Sequence, residues 1–156
     1  MKRVLVVLPL LALTACSGGS SSKLSAKDSY LVKAEAICSK ANADQKALKT
    51  PSGQAELSAY VDAVVKIAET STTALSALTP PAKDKADLEK HVLTPLQGQL
   101  VKAKAYADDV RKASKANDNI ALLKLFSDPP TKTVADLGWM RSYGFRECVD
   151  AADTAS

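Results

Sequence analysis

A chain of 156 residues with 46% hydrophobic and 24% charged side chains accommodates one globular domain plus a targeting segment and leaves no room for a second domain. Aromatics make up only 4% and glycines number just 6, a balance that favours closely packed helices over sheet, where Val, Ile, Thr and aromatics are enriched. The formal charge is +4, and setting aside Lys2 and Arg3 leaves 19 basic against 17 acidic residues, or +2, an excess too small to suggest a nucleic-acid partner.

Met1-Lys2-Arg3 forms a short positive segment, and Val4 to Leu13 is an apolar run well short of the roughly 20 residues that a spanning helix needs. Residues 1–15 therefore read as a signal peptide. The run ends in Leu13-Thr14-Ala15-Cys16, which resembles the lipobox of bacterial lipoproteins: a branched apolar residue, two small residues and the cysteine that is modified. The resemblance covers only the first sixteen residues, and every lipobox position matches. It implies a thioether-linked diacylglyceryl group on Cys16 and cleavage just before it, so that the mature protein begins at Cys16 and is held by lipid on the outer face of a membrane. Two acyl chains meet the two-signal requirement for stable attachment. Ordinary secretory cleavage after Ala15, with Cys16 incidental, is the alternative. It would leave a free, reactive thiol at the new N-terminus. Residues 16–24, rich in Ser and Gly, read as a flexible linker, whose nine or so residues span roughly 15–18 Å on average.

Helical patterns fill the remainder. Ser25-Ala26-Lys27-Asp28 carries a capping residue and an acid in the first turn, followed by an apolar stripe at Leu31, Ala34, Cys38, Ala41, Gln45 and Leu48. Thr50-Pro51-Ser52-Gly53 breaks the chain. A second stripe at Leu57, Val61, Val64, Ala68, Ser71, Leu75 and Leu78 predicts a helix from about 54 to 78, ended by Thr79-Pro80-Pro81. A third face, Leu88, Val92, Leu96, Leu100, Ala103, Ala107, Val110 and Ser114, predicts a helix from about 82 to 115 with Pro95 inside it. The continuous register favours a kink between His91 and Pro95 over a split, although Thr94-Pro95-Leu96-Gln97 also fits the start of a separate helix.

After Asn117-Asp118-Asn119, Ile120, Leu123 and Phe126 predict a short apolar face, which Asp128-Pro129-Pro130 interrupts. A helix from Thr131 to Tyr143 is expected to follow, with Gly144 just past its end and Phe145 packing back. These arms suggest an all-α, up-down four-helix bundle over residues 25–150, with the third helix kinked and the last interrupted. Residues 151–156 are expected to form a disordered tail.

With Cys16 assigned to lipid, Cys38 and Cys148 remain as a pair in an exported, oxidising setting. A disulfide is the expectation, clasping the first helix to the C-terminal segment, against the alternative of two buried free thiols. Two cysteines and the lone His91 fall short of the four ligands of a structural zinc site. Ile37-Cys38 with Ala41-Asn42, then Leu78-Thr79-Pro80-Pro81-Ala82, and Tyr143-Gly144-Phe145 with Cys148 resemble a broad group of small uncharacterised secreted helical proteins of actinobacteria. The resemblance spans most of residues 30–148 on few positions. It implies a disulfide-clasped helical bundle and carries no activity with it.

No catalytic constellation is legible. There is one His, no Gly-rich phosphate loop and no nucleophile-elbow Ser, so a non-enzymatic protein without metal or cofactor is expected. His91 reads as a partly exposed helix residue, with a ligand or base at the Pro95 kink as its functional alternative. Trp139, Tyr143 and Phe145 form the single aromatic concentration, either covering the end of the bundle or serving as a contact patch. The leading expectation is an envelope interaction module that engages a protein or surface component. The alternative is a carrier of a small apolar ligand, since Ala-lined helices bent at a Pro can open a space between them. An enzyme assembled from separate helices ranks third.

Overall fold

The computed structural model describes residues 24–130 and 135–154, with side chains through residue 150. Cys16, the lipobox, the signal segment and the linker before Leu24 lie outside the described residues. Among those described there are six helices and no strand: α1 (Ala26–Lys46), α2 (Gln54–Ser76), α3 (residues 85–115), α4 (Asn119–Ser127), α5 (Leu137–Tyr143) and α6 (Glu147–Thr154).

Local chemistry sets most of these boundaries. Ser25 caps α1, its hydroxyl accepting from the Asp28 backbone N–H at 3.0 Å. Ahead of α2, the Glu56 carboxylate reaches back to the Ser52 backbone N–H at 2.9 Å, which holds its carboxyl below the usual range. Just past the end of α3, Asn117 sits at φ 52° and the Asp118 N–H returns to the Ala113 carbonyl at 3.0 Å, the six-to-one bond of a left-handed C-terminal cap. The same device closes α5, where Gly144 sits at φ 120° and the Phe145 N–H donates to the Met140 carbonyl at 3.0 Å.

Pro95 does not split α3. The chain runs as α-helix Lys85–Leu88, a π-helical turn Glu89–Leu93 and α-helix Thr94–Lys115. The widened turn absorbs the missing proline donor and the bulk of its ring: the Thr94 N–H bonds to the Glu89 carbonyl, five residues back. The helix begins three residues later than the apolar face suggests, behind the turn that follows Pro80-Pro81.

The C-terminal third departs most from expectation. On α4 the predicted apolar face Ile120, Leu123 and Phe126 is the exposed one, with Ile120 83% and Leu123 71% accessible, and Leu122 is buried instead. Asp118 sets this phase by capping the helix through the Ala121 N–H at 2.9 Å. The helix expected from Thr131 starts at Leu137 among the described residues, because Asp136 is non-helical and its carboxylate caps the Trp139 N–H at 2.9 Å; residues 131–134 lie outside them. Helix α6 continues to Thr154, so the backbone of residues 151–154 is helical where a disordered tail is expected.

Helix α1 packs on α2 and α6, α2 on α3, α4 on α3, and α5 on α6 and the π turn. A disulfide joins Cys38 of α1 to Cys148 of α6, with Cα atoms 4.9 Å apart. Glu35 reinforces the clasp. Its two carboxylate oxygens accept from the Arg146 and Glu147 backbone N–H groups at 3.1 and 2.7 Å, satisfying free donors at the start of α6. The buried apolar residues fall into two clusters. One gathers Tyr30, Ala34, Leu75, Leu88, Val92, Met140, Phe145 and Val149 around the disulfide; the other joins Val61, Ala107, Val110, Ala113 and Leu122.

Candidate ligand cavity

The two clusters are separated along the helices they share. On α2, Val61 belongs to one and Leu75 to the other. Between them Val64, Val65 and Ala68 face a cavity of about 490 Å³. On α3 the corresponding gap lies between Val92 and Ala107, and Pro95, Leu96, Gln99 and Ala103 line it. The stripe that predicts α2 therefore points inward, yet its middle meets space rather than side chains. Alanines at 41, 68 and 103, one on each long helix, leave room where larger residues would close the gap.

The remaining walls come from distant parts of the chain. Phe126, Pro129 and Pro130 approach from the end of α4, and Leu137, Met140 and Phe145 from α5 and the turn after it. The Gln99 side-chain amide donates to the Pro130 carbonyl and ties the α4 exit to α3 across the cavity edge. Cys38 and Cys148 also reach the lining. The volume lies within the range of roughly 300–1,000 Å³ typical of small-molecule sites. Among the described residues no Asp, Glu, Lys, Arg or His lines it; their polar contribution comes from amides and hydroxyls such as Asn42, Gln99 and Thr72.

Of the three residues in the sequence-predicted aromatic group, Phe145 packs inward. Phe145 is 1% exposed, which removes it from any contact surface: the left-handed turn at Gly144 folds it back against Tyr30, edge to face at 6.4 Å. Trp139 and Tyr143 are half-buried in a continuous stack. The His91 imidazole lies on the Trp139 indole at 4.9 Å, Trp139 on Tyr143 at 4.9 Å, and Tyr143 on Phe145 at 5.6 Å. His91 Nδ1 is 3.1 Å from the Asp136 carboxylate, while the Tyr143 hydroxyl donates to Asp84 at 2.8 Å. Lys27 covers the outer face of Tyr143. His91 thus ties the π turn of α3 to the cap of α5. Among the described residues no group of three or more His, Cys, Asp or Glu is placed to hold a metal ion.

Sequence reasoning identifies the α2 and α3 stripes but not the vacancy between them, and it passes over Thr72, Gln99 and Asp136. Thr72 flanks the α2 stripe one position after Ser71, and its burial depends on where α3 crosses. The contact between His91 and Asp136 spans 45 residues and has no local signal. Compared with known proteins, the chain matches no family model, no curated protein and no solved structure.

Proposed function

We propose that the protein is an exported, lipid-anchored component of the cell envelope that works by binding rather than catalysis, and that it carries a small apolar ligand between its helices. Anchoring rests on the lipobox match Leu13-Thr14-Ala15-Cys16. The ligand reading rests on one observation: an apolar cavity of about 490 Å³ between two separate buried clusters. Unfilled apolar space costs stability, because its lining forfeits contacts on one side, and an apolar ligand restores them. In this reading the three long helices and the C-terminal group act as four arms of an up-down bundle whose last arm is in pieces, and the pieces wall the cavity.

The purified protein is expected to take up a neutral environment-sensitive fluorophore such as phenylnaphthylamine saturably, with one site per chain. Ala68→Trp, which fills the space from α2, should abolish uptake while helical content stays unchanged. Absence of saturable uptake by the unsubstituted protein would sink the carrier reading. An interaction module remains the second reading, supported by the exposed Ile120 and Leu123 on α4.

A further inference from the structure

Of the six large apolar side chains exposed among the described residues, three lie within the nine residues of α4. Ile120, Leu123 and Phe126 are 83%, 71% and 40% accessible, and their spacing of three sets them along one edge of the helix. The other three, Leu24, Val32 and Val101, are scattered before α1, on α1 and on α3, and single exposed apolar residues are ordinary. A stripe on one short helix is not. The opposite side of α4 packs on α3, where Leu122 is buried in the cluster with Val110 and Ala113.

The chain that precedes the described residues bears on what the stripe meets. On the premise that Cys16 carries acyl chains, as proposed above, the nine residues from Cys16 to Leu24 keep the start of α1 within roughly 15–18 Å of a bilayer on average. Helix α1, with its 21 residues, is about 31 Å long, and α4 lies toward its far end. The 3.2 Å ion pair of Arg111 with Asp62 sets the last turns of α3, which lead into α4, beside the first half of α2, which follows the C-terminus of α1. A domain standing upright on its tether would hold α4 clear of the lipid. A domain lying along its long helices brings α4 to the bilayer, where exposed apolar side chains leave water. The tether keeps the local concentration of such a surface high, so a contact too weak to hold a free protein is enough.

Charge contributes little. The segment from Asp118 to Asp128 carries one positive residue, Lys124, between two aspartates, so it gives anionic headgroups no net attraction. Phe126 ends the stripe and also lines the cavity, which makes the apolar surface continuous from the outer edge of α4 to the interior.

We infer that α4 docks on the bilayer that the lipid anchor reaches, inserting Ile120 and Leu123 at the interface while the long helices lie along the membrane surface. The contact is apolar and needs neither anionic lipid nor low salt.

Quenching of an introduced tryptophan by lipids brominated along their acyl chains tests this on the acylated protein in phosphatidylcholine vesicles. Leu123→Trp and Val32→Trp are compared, with the unsubstituted protein giving the background from Trp139. Val32 is closer to the tether in sequence and is also exposed, so tethering alone quenches position 32 at least as strongly as position 123. Docking reverses that order. The difference should persist when salt is raised to about 0.5 M, where surface charges are screened. Adding Ile120→Asp to Leu123→Trp should lower the ratio of docked to undocked protein at least about tenfold and bring quenching at position 123 down to that at 32. These positions are exposed, so helical content and melting temperature should match the unsubstituted protein, and Ile120→Trp gives the same reading from a second site. In acylated protein, quenching at position 32 that equals or exceeds that at 123 overturns the docking and leaves the anchor standing, the result expected if α4 meets a protein instead. Quenching at 123 that vanishes in salt overturns the apolar contact. A mature protein with no acyl mass on Cys16 removes the anchor, and the docking falls with it.

Discussion

Single residues hold the C-terminal segment in place through backbone geometry and paired polar groups. Gly144 occupies φ 120°, and a Cβ there would lie 3.0 Å from Leu31 Cδ1. Gly144→Ala is therefore expected to lower unfolding stability by about 1–3 kcal/mol in denaturant titration. Asp136 is more acidic than an ordinary aspartate, chiefly because the Trp139 N–H bonds its carboxylate and secondarily because His91 does. Its folded pKa being depressed, the stability it contributes is present above about pH 4, the unfolded value, and is lost as pH falls through the folded one. The melting-temperature gap between the unsubstituted protein and Asp136→Asn should accordingly shrink below about pH 4. Tyr143 behaves in the opposite sense. Burial, then the Asp84 carboxylate, raise its pKa, so its contribution is present below about pH 10 and fades as alkaline pH rises toward the folded value.

At the scale of an element, α4 shows how a helix too short for its pattern to be averaged can be read on the wrong face. Its nine residues include apolar side chains on both sides, and a three-residue spacing through Ile120, Leu123 and Phe126 is as regular as the stripe that is buried. The cap at Asp118 and the contact with α3 select Leu122. Leu122→Ala is expected to cost about 2–5 kcal/mol, whereas Leu123→Ala should stay within about 0.5 kcal/mol of the unsubstituted protein. Equal losses at both positions in urea titrations would contradict the observed orientation. The π turn of α3 carries a related lesson. A proline inside a helix predicts a bend or a break, and the chain instead widens one turn, keeping Leu88, Val92 and Leu93 all buried in one cluster.

For the whole molecule, the decisive link is between the first and last helices. The Cys38–Cys148 bond closes a loop of 110 residues, for which the chain-entropy model gives an upper figure of about 4.7 kcal/mol, with about 2–4 usual in practice. Replacing both cysteines with serine should lower stability by about that usual amount. It should also weaken uptake of the apolar fluorophore, because both residues reach the cavity wall. The proposed anchoring is tested separately from folding. Cys16→Ser is expected to move the protein from the membrane fraction to a soluble or unprocessed one, since a serine cannot form the thioether, and intact-mass measurement of the unsubstituted mature protein should find acyl chains on Cys16. A mature protein without that mass would refute the lipid anchor.

How much of this was legible in advance depended on the range of the physics involved. Helical class, the Ser25 cap, the stripes of α1 to α3 and the left-handed stop at Gly144 follow from spacing and backbone preference within a few residues, and the sequence by itself determined them. The cysteine pair was legible for a different reason: only two thiols remained once Cys16 was set aside. Tertiary structure decided the rest. The cavity exists because three helices meet above and below Ala41, Ala68 and Ala103 without filling the space between them, and no stripe records what stands opposite it. The pairing of His91 with Asp136 and the burial of Phe145 against Tyr30 likewise depend on residues far apart in sequence. Packing between distant segments, not local propensity, determines whether an inward-facing side chain meets a neighbour or a space for a ligand.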